Sequence, residues 1–210
     1  MSGLIKVEST AENKARSKNA EHFTSSAVFF TLNFPETNIS TKISLLNHFL
    51  LKRNIEKVVA KIELRELNGQ LFDTYKMEIS DPRSYDFNPL RDTNKNFAGS
   101  TYIFFESNEN LAVPFCAVVA SIEATSSICA VHTYGRVLEE CELGGKLDAS
   151  KTIESGWTLR NKNNSNSFAV FHNGRESVNI NIALEVTNAQ GEHQLKEWNE
   201  SLLPWAILPD

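Results

Sequence analysis

The chain has 210 residues, with 21 Lys plus Arg against 26 Asp plus Glu and a formal net charge of -5. With 41% hydrophobic and 22% charged residues, its composition is that of an ordinary globular chain, which excludes a mostly disordered or collagen-like one. No apolar run approaches the ~20 residues that a membrane span needs. Mild acidity spread along the chain also argues against nucleic acid, which is bound through clustered Lys and Arg.

Residues 1–26 mix Lys6, Lys14, Arg16 and Lys18 with Glu8, Glu12 and Glu21 and carry no sustained periodicity. They lack the continuous apolar core of ~7–15 residues that marks a secretory signal, so the reading is a mobile N-terminal tail on a cytoplasmic protein. Cys116, Cys129 and Cys141 have no CxxC spacing, and the first two sit in apolar runs where a thiol acts as a small hydrophobe. They give a zinc site little support.

From Ala27 the texture becomes that of strands. Ala27-Val-Phe-Phe-Thr-Leu-Asn33 is a short β-prone run, closed by the turn signal Asn33-Phe34-Pro35. Val58, Ala60, Ile62 and Leu64 then alternate with Lys61, Glu63 and Arg65, the pattern of a half-buried antiparallel strand. Asn68-Gly69 supplies the positive φ angles of a tight hairpin, and residues 70–79 form the return strand up to Asp81-Pro82. Residues 80–99 read as a loop. Strand texture resumes at residues 100–106, 113–122 and 127–134, and the last two are apolar at nearly every position, which predicts inner strands covered on both faces.

Gly144-Gly145 and the polar residues up to Ser150 mark a boundary. Beyond it come the strand residues 167–171, the turn His172-Asn173-Gly174, and the alternating run Val178, Ile180, Ile182, Leu184 and Val186. Many short strands separated by Asn-rich turns predict an all-β protein, an antiparallel β-sandwich. The expected organisation is a first β-sandwich unit over 27–140, a loop at 141–151, and a second, shorter β unit over 152–210 packed on the first or on another subunit.

Placing Gly69 over Gly191 aligns Val58-Ala60-Ile62-Leu64 with Ile180-Ile182-Leu184-Val186. A short strand carrying Asn and His precedes each, at residues 43–49 and 168–174. This suggests an internal repeat and two related units; any two half-buried strands ending in a turn would also look alike. Residues 178–186 before a Gly turn, and residues 106–115 leading into an apolar strand, resemble the small cytoplasmic β-sandwich of the sensory rhodopsin transducer family and similar immunoglobulin-like modules. That resemblance implies an oligomeric, non-enzymatic binding or adaptor module, and it carries over no individual residue.

Familiar catalytic signatures are missing from the sequence. The five histidines, His22, His48, His132, His172 and His193, contain no HExxH and no i, i+4 pair. A site built from His48, His132 and His172 is conceivable, but satisfied histidines at strand ends are commoner, and the reading is no metal and no cofactor. There is no GxSxG, Gly-rich phosphate loop or dinucleotide fingerprint. Glu139-Glu140 could serve a glycosidase but fits a solvated loop better.

The most suggestive group is aromatic and cationic. Tyr134, Arg136, Trp157, Arg160, His172 and Asn173 stand at strand exits, and on one rim they would form a polar-aromatic patch able to hold a carbohydrate or a small anionic ligand. The competing reading places Trp157 in the core and the arginines on the surface. Trp198, Leu202, Leu203, Trp205, Ile207 and Leu208 make the C-terminus unusually apolar, and Trp is enriched at desolvated interfaces, so a homo-oligomer through this segment is expected. The function expected is a non-catalytic ligand-binding or assembly module. The alternatives are a carbohydrate-active enzyme built around Trp157 and Glu139, and a viral or phage structural subunit.

Overall fold

The structure is a computed structural model that describes residues 25–90, 94–107, 113, 116–133, 170–188 and 190–209. It is all-β and antiparallel. The first eight strands are β1 (Ser25–Phe34), β2 (Ile39–Leu46), β3 (Val58–Glu66), β4 (Leu71–Ile79), β5 (Ser84–Phe87), β6 (Phe97–Glu106), β7 (Val118–Ala124) and β8 (Ser127–Thr133). They form one continuous sheet in the order β4-β3-β6-β1-β2-β7-β8, with β5 also paired to β2. β1 pairs with β6 from Ser25 to Asn33 but with β2 only at Asn33–Ser40 and Phe34–Ile39. Beyond that corner β2 pairs with β7 on one edge and with β5 on the other.

The corner follows from local chemistry. Pro35 ends β1, a 3-10 turn spans Pro35–Thr37, and Asn38 takes a left-handed φ of 53° that Asn tolerates better than most residues. Side chains from both halves of the sheet then meet in one core. Ala27, Phe29, Ile62, Ile103 and Phe105 come from one half; Ile43, Leu45, Val118 and Ala120 come from the other. The alternation expected of β3 is met, with Val58, Ile62 and Leu64 buried.

Several expectations are corrected. Ser25 and Ser26, assigned to the tail, belong to β1. The run 43–49 is not all strand: Asn47 caps a short helix, α1 (His48–Arg53), by accepting the Leu50 N–H at 3.1 Å, and Phe49 turns into the core against Phe105. Residues 80–99 are not all loop, since they contain β5 and the first residues of β6. Among the described residues β8 is an outer strand rather than an inner one. Ile128 and Val131 are 68% and 49% exposed, because no described strand lies beyond it.

The C-terminal part adds β9 (Val170–His172), β10 (Val178–Thr187), β11 (His193–Leu202) and β12 (Ile207–Pro209). β10 and β11 form a two-stranded ribbon, and β9 pairs with β12. On the ribbon Ile182 is buried, whereas Ile180 and Leu184, which share its alternating apolar row, are half-buried. The β3–β4 and β10–β11 hairpins share a local plan, with Gly69 and Gly191 at φ 88° and 81° and each donating to the carbonyl three residues earlier. Their surroundings differ: one lies inside the large sheet and the other has only two strands.

Candidate functional site: an aromatic–cation junction under the C-terminal segment

The strand alternation that sends Ile103 and Phe105 into the core sends Tyr102 and Phe104 to the opposite face of β6, where both are also buried. In register, Tyr102 stands beside Glu63 and Phe104 beside Lys61 on β3. A register shift between Leu64 and Arg65 marks the end of the β3–β4 pairing next to this face. This second face is covered by residues 172–175 and 203–207.

Trp205 is the centre of that cover. Its ring meets Tyr102 edge-on at 5.0 Å and Phe104 edge-on at 6.2 Å between centroids. The Arg65 guanidinium lies 4.5 Å from the indole centroid and the Arg175 guanidinium 5.6 Å from it, so Trp205 touches two aromatic rings and two cations. Trp205 sits at φ 64°, a left-handed conformation that is uncommon for a bulky side chain and costs about 1–3 kcal/mol. The surrounding hydrogen bonds hold it there. Its N–H donates to the Gly174 carbonyl at 2.7 Å, and the Ala206 N–H donates to the Leu203 carbonyl at 3.1 Å.

Asn173 ties the two covering segments together. Its side-chain amide donates to the carbonyls of Leu203 at 2.7 Å and Glu176 at 2.8 Å, while its Oδ1 accepts the Gly174 N–H at 2.8 Å. Its backbone N–H donates to Ala206, and its carbonyl accepts the Tyr102 hydroxyl at 3.1 Å. The Ile207 N–H donates to the Leu67 carbonyl, anchoring the segment to the β3–β4 turn. There the chains run so close that a Cβ on Gly69 would stand 2.2 Å from the Pro204 carbonyl oxygen.

The ionisable groups here largely satisfy one another. Burial would raise the pKa of Glu63, but hydrogen bonds from Lys61 and Arg65 outweigh that cost and hold its carboxyl below the ordinary range. Arg65 also donates to the Gly69 carbonyl at 3.1 Å. Burial pushes the Tyr102 hydroxyl up to about 12, so it stays a hydrogen-bond donor. His172 stands edge-on to Tyr102 at 6.4 Å, and burial lowers its pKa to about 4. Its buried Nδ1 finds no hydrogen-bond partner. At neutral pH the junction therefore contains an ionised, doubly paired carboxylate, a protonated phenol and a neutral imidazole. That arrangement clamps two chain segments to a sheet.

Of the six residues expected at a polar-aromatic rim, His172 and Asn173 lie side by side in this junction, with Asn173 engaged in the clamp. Tyr134, Arg136, Trp157 and Arg160 lie outside the described residues, as do Glu139 and Glu140. Among the described residues no group of three or more His, Cys, Asp or Glu is placed to hold a metal ion. Sequence reading missed Glu63 and Arg65, whose place on the polar face of an alternating strand looked like solvated surface. The signal that could have found the junction is the unbroken run Tyr102-Ile-Phe-Phe105, which demands cover on both faces. Comparison of the chain with family models, curated proteins and solved structures finds no match.

Proposed function

We propose that this protein works by binding rather than by catalysis, as a cytoplasmic assembly or adaptor module that docks through apolar β surface. The observation that carries this reading is where apolar area stays exposed. Ile128 on β8 and Leu195 on β11, at 68% and 63%, are the most exposed large apolar side chains on any described strand, and Val131 and Val186 accompany them. Apolar side chains left exposed on strands at the margin of a sheet or in a two-stranded ribbon offer β surface to which another chain can add. The C-terminal Trp205 does not add to it, being engaged within the chain. The exposed free thiol of Cys129 suits a reducing compartment. The experiment is sedimentation velocity over a wide concentration range, together with a binding screen of glycans and metabolites. Assembly at fixed stoichiometry, or a specific ligand, is expected. A monomer at every concentration that binds nothing in the screen overturns the reading.

A ligand-binding variant of this function has one feature in its favour. An open cleft of about 390 Å³ on the ribbon is lined by Trp198, Asn181, Asn199 and Glu197, with Ile182 and Ala183. The Trp198 indole, on the face it shares with its cross-strand partner Ile182, is a flat apolar surface that suits the ring face of a sugar. Loss of glycan binding in Trp198→Ala, with binding retained in Trp205→Phe, would support it.

A further inference from the structure

We infer that Asn173 is a self-modification site: when the C-terminal segment lifts from the sheet, the Gly174 nitrogen attacks the Asn173 side chain, and the carboxylate that results cannot re-form the clamp. The inference is independent of the assembly reading above. The sequence has two Asn-Gly pairs, Asn68-Gly69 and Asn173-Gly174. In such a pair the glycine nitrogen, with no side chain beside it, can attack the carbon of the preceding amide. The fold requires glycine at 69 on other grounds, a φ of 88° and a Cβ position 2.2 Å from the Pro204 carbonyl oxygen. Gly174 has neither reason. Its φ lies outside the left-handed region, and a Cβ there would meet nothing within 4 Å. What glycine supplies at 174 is an unhindered nitrogen on an exposed residue.

The reactants are already together, in the wrong orientation. The Gly174 N–H donates to Asn173 Oδ1 at 2.8 Å, so the attacking nitrogen stands beside the group it would attack. A hydrogen bond to a carbonyl oxygen keeps its donor near the amide plane, whereas attack on the carbon comes from above that plane. The Asn173 amide is held from turning, because Nδ2 donates to the Leu203 carbonyl at 2.7 Å and the Glu176 carbonyl at 2.8 Å. Leu203 belongs to the C-terminal segment, so lifting that segment frees the amide to rotate. Asn68 is an internal reference. The Gly69 N–H donates to the Glu66 carbonyl at 2.9 Å and Asn68 Oδ1 accepts the Gln70 N–H, bonds within the hairpin that lifting the segment leaves in place.

The step balances without a cofactor. The Gly174 nitrogen bonds to Asn173 Cγ, the Cγ–Nδ2 bond breaks, and Nδ2 leaves as ammonia with the proton that the glycine nitrogen gives up. Water then opens the cyclic imide at either carbonyl, leaving Asp or isoaspartate. Both products oppose re-closure. Asp puts an oxygen without a hydrogen where Nδ2 met two carbonyl oxygens, and a buried carboxylate so placed is costly. Isoaspartate adds a backbone atom between the Asn173 N–H, which donates to Ala206, and the Gly174 carbonyl, which accepts from Trp205, and so shifts the two bonds out of register.

The full chain, aged at mildly alkaline pH, tests this when peptide mass spectrometry reads the amide-to-acid mass change at both Asn-Gly pairs. Trp205→Ala, which weakens the clamp, should speed conversion at Asn173 at least about tenfold and leave Asn68 within about twofold. Adding Gly174→Ala to that variant should slow Asn173 at least about tenfold, since the new methyl crowds the attacking nitrogen. If Trp205→Ala loses its far-UV circular dichroism spectrum, Trp205→Phe takes its place, with a smaller acceleration of the same sign. Asn173→Asp makes one product directly, and with its far-UV spectrum retained it should be cut beyond Lys196 as readily as Trp205→Ala. If it does not fold, the conversion rates decide. An Asn173 rate that the Trp205 variant leaves unchanged, or that Gly174→Ala does not slow, overturns the inference. So does a folded Asn173→Asp chain as protease-resistant as wild type.

Discussion

Replacing Trp205 by Ala tests whether the junction holds the C-terminal segment on the sheet. The substitution deletes two edge-to-face ring contacts, to Tyr102 and Phe104. Such pairs contribute about 0.5–1.5 kcal/mol each. It also deletes the stack under Arg65, at about 0.5–1 kcal/mol for a partly exposed cation–π pair. Full truncation of a buried Trp costs about 3–5 kcal/mol, and Trp205 is only half-buried, so the combined loss should be about 2–4 kcal/mol. Nothing is regained from the backbone, because Ala at φ 64° is strained as well. Denaturant unfolding followed by far-UV circular dichroism measures the change, and limited proteolysis beyond Lys196 reports release of the segment. Trp205→Phe should recover roughly half of the loss because it keeps a ring against Tyr102. A Trp205→Ala midpoint within about 0.5 kcal/mol of wild type, with unchanged protease resistance, would refute the clamp.

Gly69 and Gly191 form a matched pair, since both have left-handed φ but only Gly69 faces a crowded backbone. Gly191→Ala should cost about 1 kcal/mol from φ alone, and Gly69→Ala at least about 1 kcal/mol more from the clash with Pro204, both read by thermal or chemical unfolding. His172 predicts an acid dependence: its folded pKa of about 4 lies below the unfolded value of 6.5, so the unfolded state binds more protons between them. Stability should fall as pH drops through 6.5 and level off below about 4, by up to about 3 kcal/mol, and His172→Gln should flatten that slope. Glu63, whose folded pKa is also depressed, acts only at the acid end of this window and below it, so a slope near pH 6 that persists in His172→Gln would exclude the assignment. Ile62→Ala should cost about 2–5 kcal/mol and Ile182→Ala less than about 2 kcal/mol, because Ile62 has the large core around it and Ile182 has a two-stranded ribbon.

Much of the fold was legible because β-structure writes itself at a period of two. Val58 to Leu64 alternate and are buried as the pattern says, and Asn68-Gly69 makes the hairpin it announces. The helix at His48–Arg53 was hidden because one Asn cap and six residues leave no periodic signature. β8 was misread for a different reason. An apolar run specifies a wish for cover and says nothing of whether the cover comes from the same chain, so a strand that looks internal can stand at an edge. The junction was half legible. The apolar C-terminus and His172-Asn173 were singled out, but their partners lay more than a hundred residues away on β3, where Glu63 and Arg65 looked like surface. Only the register between β3 and β6 brings them to Tyr102.

The two hairpins show where local sequence stops deciding. Around Gly69 and Gly191 the chain makes the same turn, with the same backbone bond and with Asn68 and Asn188 each accepting the N–H two residues on. Each hairpin sends one apolar row to one face. In β3 that row closes against strands contributed by the rest of the sheet, and Leu64 is fully buried. In β10 the equivalent row fades from buried Ile182 to Val186 at 41% exposure. A two-stranded ribbon is marginal in water by itself, so this one depends on whatever its apolar row meets beyond β11. The turn chemistry therefore sets the hairpin and its register, while the value of each apolar residue is set by neighbours that the hairpin does not encode. The same separation explains why β8 and the ribbon, both regular in sequence, carry the most open apolar surface on the described strands.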